Sequence, residues 1–326
     1  MDVTGDVVDG VILIVLLGLP AVGAVLAALL PGRAARWAAT VAAAATFGVS
    51  LALYRSGWSG GGYWHEFDVS WVPALRLRFH LGVDGISWPL IVLTTLLTLL
   101  CCLYSLWRTP DRRLFALLLA LEVGILGVFC ALDLILFFVF FETVLLPMYA
   151  IIAGWGGPRR RMAARKFVLY TLSGSMLLLI GVFLVVTQTG TADLAAPTGT
   201  ASMVAFAFLA IGFAVKAPLW PLHSWLPDAH SEAPTVGSVL LAGVLLKLGT
   251  YGLIRVALPV APVSAERAAP VIAAFAVAAI VIGGLICLAQ TEIKRLIAYS
   301  SVGHMGFVVL AVATFTVGGV QAAVFA

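Results

Sequence analysis

Long apolar runs, separated by short charged or Gly/Pro-bearing turns, dominate this chain. Ten runs can be delimited, at about residues 11–30, 37–54, 86–107, 114–132, 134–154, 167–189, 201–221, 235–254, 268–290 and 296–316. At 1.5 Å per residue each is long enough to cross a hydrocarbon layer about 30 Å thick, so the pattern predicts ten membrane-spanning helices. An eleventh run begins near Gly318 and is still apolar at Ala326, which predicts a piece of a longer chain. Between about 55 and 85 the pattern changes to alternation. Phe67, Val69 and Trp71 share one face; Leu75, Leu77 and Phe79 share another, opposite Arg76, Arg78 and His80, with Pro73 between the two runs. That reads as a β-hairpin on the outer surface, either a lid over helix ends or a dock for a neighbouring subunit.

Composition removes the soluble alternatives. The chain is 62% hydrophobic and 10% charged, with a mean hydropathy of +1.11, whereas soluble domains carry about 25% charged residues. The net charge of +4 does not point to nucleic acid, because the charges lie in short loops between apolar runs. Those loops orient the chain. With the N-terminus outside, the segments at 33–36, 108–113, 159–166 and 294–295 lie inside and hold twelve of the 19 Lys and Arg; Arg55, Arg76, Arg78, Arg255 and Arg267 lie outside. The positive-inside rule selects that orientation. The acidic start (Asp2, Asp6, Asp9) lacks the basic flank of a signal peptide, so the first run is read as a retained helix. Cys101, Cys102, Cys130 and Cys287 sit inside apolar runs without C-x-x-C spacing and are read as packing residues. Gly60, Gly61 and Gly62 lack the Lys-Ser/Thr of a phosphate loop.

The candidate chemistry is carried by the ionisable residues that remain within spans, each costing on the order of 2.5–3.5 kcal/mol at the bilayer centre. Glu142 ends the run Phe137-Phe138-Val139-Phe140-Phe141 and is a candidate for reversible protonation; its bland alternative is an interhelical hydrogen bond. Lys216 precedes Pro218 and Pro221, which remove backbone donors and break the helix. Broken membrane helices are tolerated where they line a cavity or water, and a lysine there can hold or pass a proton. Lys247 lies 12 residues into its span, about 18 Å along it and too deep to snorkel fully. His304 is a candidate because histidine is the residue type whose unperturbed side chain changes charge near neutral pH, although a lone membrane histidine is often a helix–helix hydrogen bond. Glu122 is mid-span, with relay and packing readings evenly matched, and Asp133 is read as a helix N-cap. His223, Asp228, His230 and Glu232 are ligand types, but their spacing fits no helical two-His motif. No metal site and no bound cofactor are expected in this chain, and the segment is read as a structured inner loop. Together Glu142, Lys216, Lys247, His304 and Glu122 form a candidate proton relay without an energy source of its own.

The stretch Lys216–Gly252, KAPLWPLHSWLPDAHSEAPTVGSVLLAGVLLKLGTYG, resembles the antiporter-like membrane subunits of respiratory complex I, the NADH–quinone oxidoreductase. Thr291–Phe307 (TEIKRLIAYSSVGHMGF), Phe140–Glu142 (FFE) and Leu81–Ser87 (LGVDGIS) carry the same likeness. The resemblance implies an all-α polytopic fold of fourteen spans, with ten or eleven present here and the seventh broken. It implies residues 1–112 as three N-terminal helices with the hairpin, 113–257 as a first five-helix repeat and 258–326 as the start of an inverted second. It pairs Glu142 with Lys216, makes Lys247 the central connecting lysine and His304 a further axial site. It implies adjacent antiporter-like subunits and a peripheral redox arm as partners, with NADH, FMN, iron–sulfur clusters and quinone held by those partners. The location it implies is the bacterial plasma membrane. Multisubunit Na⁺/H⁺ antiporters and membrane-bound hydrogenases share the fold and remain an alternative; a structural membrane spacer is another.

Overall fold

In a computed structural model, residues 3–54, 62–72, 77–108 and 111–325 are described, with side chains from Gly10 onward. Arg55, Gly60, Gly61, Pro73, Leu75, Arg76 and Asp2 lie outside the described residues, as do the side chains of Asp6 and Asp9. The chain divides into two compact units, 1–151 and 152–326.

The first unit begins with α1 (Val3–Leu29) and α2 (Gly32–Ala52), followed by strands β1 (His65–Val72) and β2 (Leu77–Val83). Helices α3 (Ser87–Arg108), α4 (Arg112–Cys130) and α5 (Leu134–Thr143) come next, and α6 (Leu145–Trp155) runs across the boundary. Helix α1 packs on α2 and α4. The α1–α2 approach depends on Gly23, where a Cβ would stand 2.5 Å from that of Ala42. In lipid, where apolar attraction between helices is weak, such small residues permit the close backbone packing that holds spans together. Asp133 caps α5, accepting from the N–H groups of Ile135 (2.9 Å) and Leu136 (3.0 Å), because a short carboxylate satisfies otherwise orphaned first-turn donors. Pro147 in α6 has no N–H to offer the carbonyl of Thr143, and the helix is interrupted there, just after Glu142.

Strands β1 and β2 pair antiparallel, with Val69 opposite Phe79 and Asp68 opposite His80. The burial differs from what the alternation suggests. Val69 and Trp71 are exposed, whereas His80 is buried and hydrogen-bonded to Glu66 (2.6 Å). Burial follows position along the hairpin rather than face: the end of β2 that meets the helices, His80 to Val83, is buried on both faces, and there Leu132 N–H donates to the His80 carbonyl at 2.9 Å.

The second unit contains α7 (Arg160–Thr189), α8 (Met203–Lys216) and α9 (Trp225–Glu232). One span then passes through α10 (Thr235–Leu240), a π turn (Leu241–Leu245), α11 (Leu246–Gly252), a second π turn (Leu253–Ala257) and α12 (Leu258–Val260). Helices α13 (Pro262–Leu288), α14 (Ile293–Val312) and α15 (Val317–Phe325) complete it. Across the chain, eight helices among the described residues are long and apolar enough to cross a membrane, and Met203–Lys216 is a shorter apolar helix.

Candidate functional site at the broken span

Helix α8 rises for 14 residues, about 21 Å. That is short of a bilayer core of about 30 Å, so it ends inside the membrane. Its last residue is Lys216, buried at 4% exposure. The C-terminal end of a helix carries partial negative charge from unpaired carbonyls, which favours a cation at that position. Pro218 and Pro221 explain the stop, since neither can donate back into the helix. The loose end is refastened by the buried Trp225, whose indole N–H donates to the Val215 carbonyl at 3.0 Å. Its ring also packs on Phe167 of α7, with centroids 5.4 Å apart.

Lys247 sits on α11, between the two π turns, and is half-buried. Two residues on, Gly249 touches the break. A Cβ there would lie 2.5 Å from the Ala217 nitrogen and 2.7 Å from the Phe213 carbonyl oxygen. Only glycine lets these two backbones approach so closely, and the contact joins the neighbours of Lys216 and Lys247. Helix α8 is held from its other side in the same manner: a Cβ on Gly212 would meet the Gly174 carbonyl oxygen of α7 at 2.9 Å. An apolar cavity of about 430 Å³ opens beside the break, lined by residues such as Phe206, Trp220, Gly249 and Phe275.

The remaining candidates lie on other helices. His304 is exposed on α14, its Nδ1 2.8 Å from the Ser300 carbonyl oxygen. A carbonyl oxygen only accepts, so Nδ1–H is the donor in that hydrogen bond. Glu142 and Glu122 belong to the first unit. Glu142 is half-buried; Glu122 is fully buried, and neither carboxylate oxygen has a hydrogen-bond partner among the described residues. Among the described residues no group of three His, Cys, Asp or Glu could hold a metal ion.

Sequence reasoning missed a charged anchor on α9. Asp228 accepts from Lys166 Nζ of α7 (2.6 Å) and from Arg295 Nη2 of α14 (3.1 Å). Glu232 accepts from the Arg159 backbone N–H (2.8 Å) and Nε (3.3 Å). Lys294 Nζ donates to the carbonyls of Ser231 (3.3 Å) and Ala233 (3.1 Å), at the negative end of α9. Ser224 Oγ donates to Tyr170 Oη at 2.7 Å, and the His223 and Tyr299 rings meet edge to face at 6.0 Å. The available signal was an i,i+4 acid pair on a short helix, with basic residues in two other loops assigned to the same side.

Residues 131–326 match the family described as NADH:quinone oxidoreductase/Mrp antiporter, TM. The chain belongs to that family. It is a multi-pass membrane protein. It is 40% identical over 333 residues to NAD(P)H-quinone oxidoreductase chain 4 1 of Nostoc sp., covering 95% of this chain and 60% of that one. It is 42% identical over 316 residues to NADH-quinone oxidoreductase subunit M of Rhodobacter capsulatus, covering 90% and 61%. A chain of respiratory complex I from Thermus thermophilus with bound NADH superposes with a TM-score of 0.87 at 31% identity, covering 96% of this chain and 67% of that one. The chain therefore spans about 60% of the length of the curated relatives it matches.

Proposed function

We propose that this chain is a proton-translocating membrane subunit of an NADH–quinone oxidoreductase, of the subunit M type. The observation that carries the proposal is the meeting of a broken span ending in Lys216 with a span bearing Lys247, through the Ala217–Gly249 contact. Lys216 adjoins Ala217 and Lys247 lies two residues before Gly249, so a proton can pass from the ammonium of one lysine to the neutral amine of the other. Glu142 acts as the acid that holds or releases Lys216, Lys247 passes the proton on, and His304 and Glu122 are further relay groups. NADH oxidation and quinone reduction take place in partner subunits, which hold the NADH, FMN, iron–sulfur clusters and quinone. The chain lies in a bacterial plasma membrane beside other antiporter-like subunits, with its N-terminus outside and the α9 anchor at the inner face. Residues 113–257 form one repeat and 258–326 the start of its inverted partner.

The family name also covers Mrp antiporters, which favours a second reading, cation/proton exchange driven by gradients alone. The test is proton pumping and NADH–quinone turnover in proteoliposomes holding the assembled complex with Lys216→Ala. The coupled relay requires both to collapse while assembly holds. Wild-type pumping would sink it in favour of a spacer. Sodium-dependent transport without NADH would select the antiporter.

A further inference from the structure

The turn before α7 carries more positive charge than the α9 anchor uses. Arg159, Arg160, Arg161 and Arg165 line one groove of about 880 Å³, together with Gly156 and Gly157, and no acid is among its lining residues. Arg159 gives its Nε to Glu232 at 3.3 Å. Arg160 gives one Nη to the Gly156 carbonyl at 3.4 Å, and Arg165 gives its Nε to the Arg161 carbonyl at 3.2 Å. These single bonds hold the guanidinium groups in place while most of their five donors each remain available.

The groove continues into an apolar track. Met162, Leu169, Met176 and Phe183 recur every seven residues along α7, and they are 43%, 65%, 48% and 65% exposed. Seven residues are close to two helical turns, so the four side chains form one stripe about 32 Å long. It starts at the groove and runs the thickness of a bilayer. A cationic groove at the end of a span, continuous with an apolar stripe at acyl-chain depth, matches an amphiphile whose head is anionic.

We propose that this surface binds an anionic phospholipid, its phosphate in the arginine groove and an acyl chain along the near half of the stripe, from Met162 past Leu169 toward Met176. Charge complementarity selects the head, and the continuous stripe selects a lipid over free phosphate. The assignment does not depend on proton transport or on which leaflet the groove meets.

The test is native mass spectrometry of the detergent-solubilised full chain, titrated with palmitoyl-oleoyl phosphatidylglycerol or the matching phosphatidylcholine. The expected result is retained phosphatidylglycerol, weakened about tenfold in R161Q/R165Q, with phosphatidylcholine bound weakly and equally by both proteins. R161K/R165K keeps the charge and should retain most of the binding; if the glutamine pair fails to fold, R165Q alone should show a smaller loss. Equal phosphatidylglycerol binding by wild type and R161Q/R165Q overturns the proposal. So does displacement of the lipid by millimolar inorganic phosphate, which would mark a free-anion site.

Discussion

Two spans each hold a buried ionisable group, and they treat it in opposite ways. Helix α4 is unbroken and encloses Glu122 completely, with no hydrogen-bond partner for its carboxylate among the described residues. Helix α8 stops at Lys216, and the chain is then rebuilt through Trp225 and the ion pairs of α9. An unbroken helix satisfies its own backbone and gives a buried side chain nothing. A broken one frees carbonyls for a cation but must be secured by other contacts. The contacts that secure the break are therefore polar or backbone ones, through Gly249, Asp228 and Trp225, whereas α4 is held by apolar packing, with Leu118, Leu121 and Ile125 fully buried.

That contrast can be broken experimentally, starting with the largest effect. Gly249→Val drives a branched side chain into the backbone of Ala217 and Phe213, and should cost about 3 kcal/mol in denaturant unfolding in detergent. A loss below about 1 kcal/mol would mean that the two spans part easily. Asp228→Ala leaves Lys166 and Arg295 facing each other. Their side chains are 31% and 33% exposed against 16% for Asp228, so the cost should lie between buried and surface pairs, at about 2 kcal/mol. Stability equal to wild type would show that α9 is held without its ion pairs. Trp225→Phe keeps a ring against Phe167 and removes the donor to Val215, for about 1 kcal/mol. Glu122→Met should be neutral or stabilise by up to about 1 kcal/mol, since no described bond is lost. A clear destabilisation there would reveal a partner and erase the difference between the two spans.

The two spans also differed in how far their sequences could be read. Pro218 and Pro221 announce a break by chemistry that acts within one turn, and α8 ends within two residues of the first. Lys247 stood out because it interrupts an apolar run. The Asp133 cap was visible for the same local reason. The α9 anchor was not, because Asp228 and Glu232 meet partners 62, 67 and 73 residues away. Those pairings depend on which helix ends share a side, and hydrophobic periodicity is silent about that. The π turns around Lys247 were equally hidden, since a 3.6-residue period read through them assigns later residues to the wrong face. Nor could spacing distinguish an enclosed Glu122 from a half-buried Glu142.

Those π turns bear on how this span tolerates change in length. A π turn holds one residue more than the α turn it replaces, and each residue of an α-helix turns the chain by about 100°. Deleting one residue from Leu241–Leu245 can restore an ordinary turn and leave Lys247 and Gly249 facing as before. The same deletion from α11 itself would swing everything beyond it by about 100° and carry Gly249 away from Ala217. Single-residue gaps among natural variants of this span should therefore collect at 241–245 and 253–257 and be absent between them.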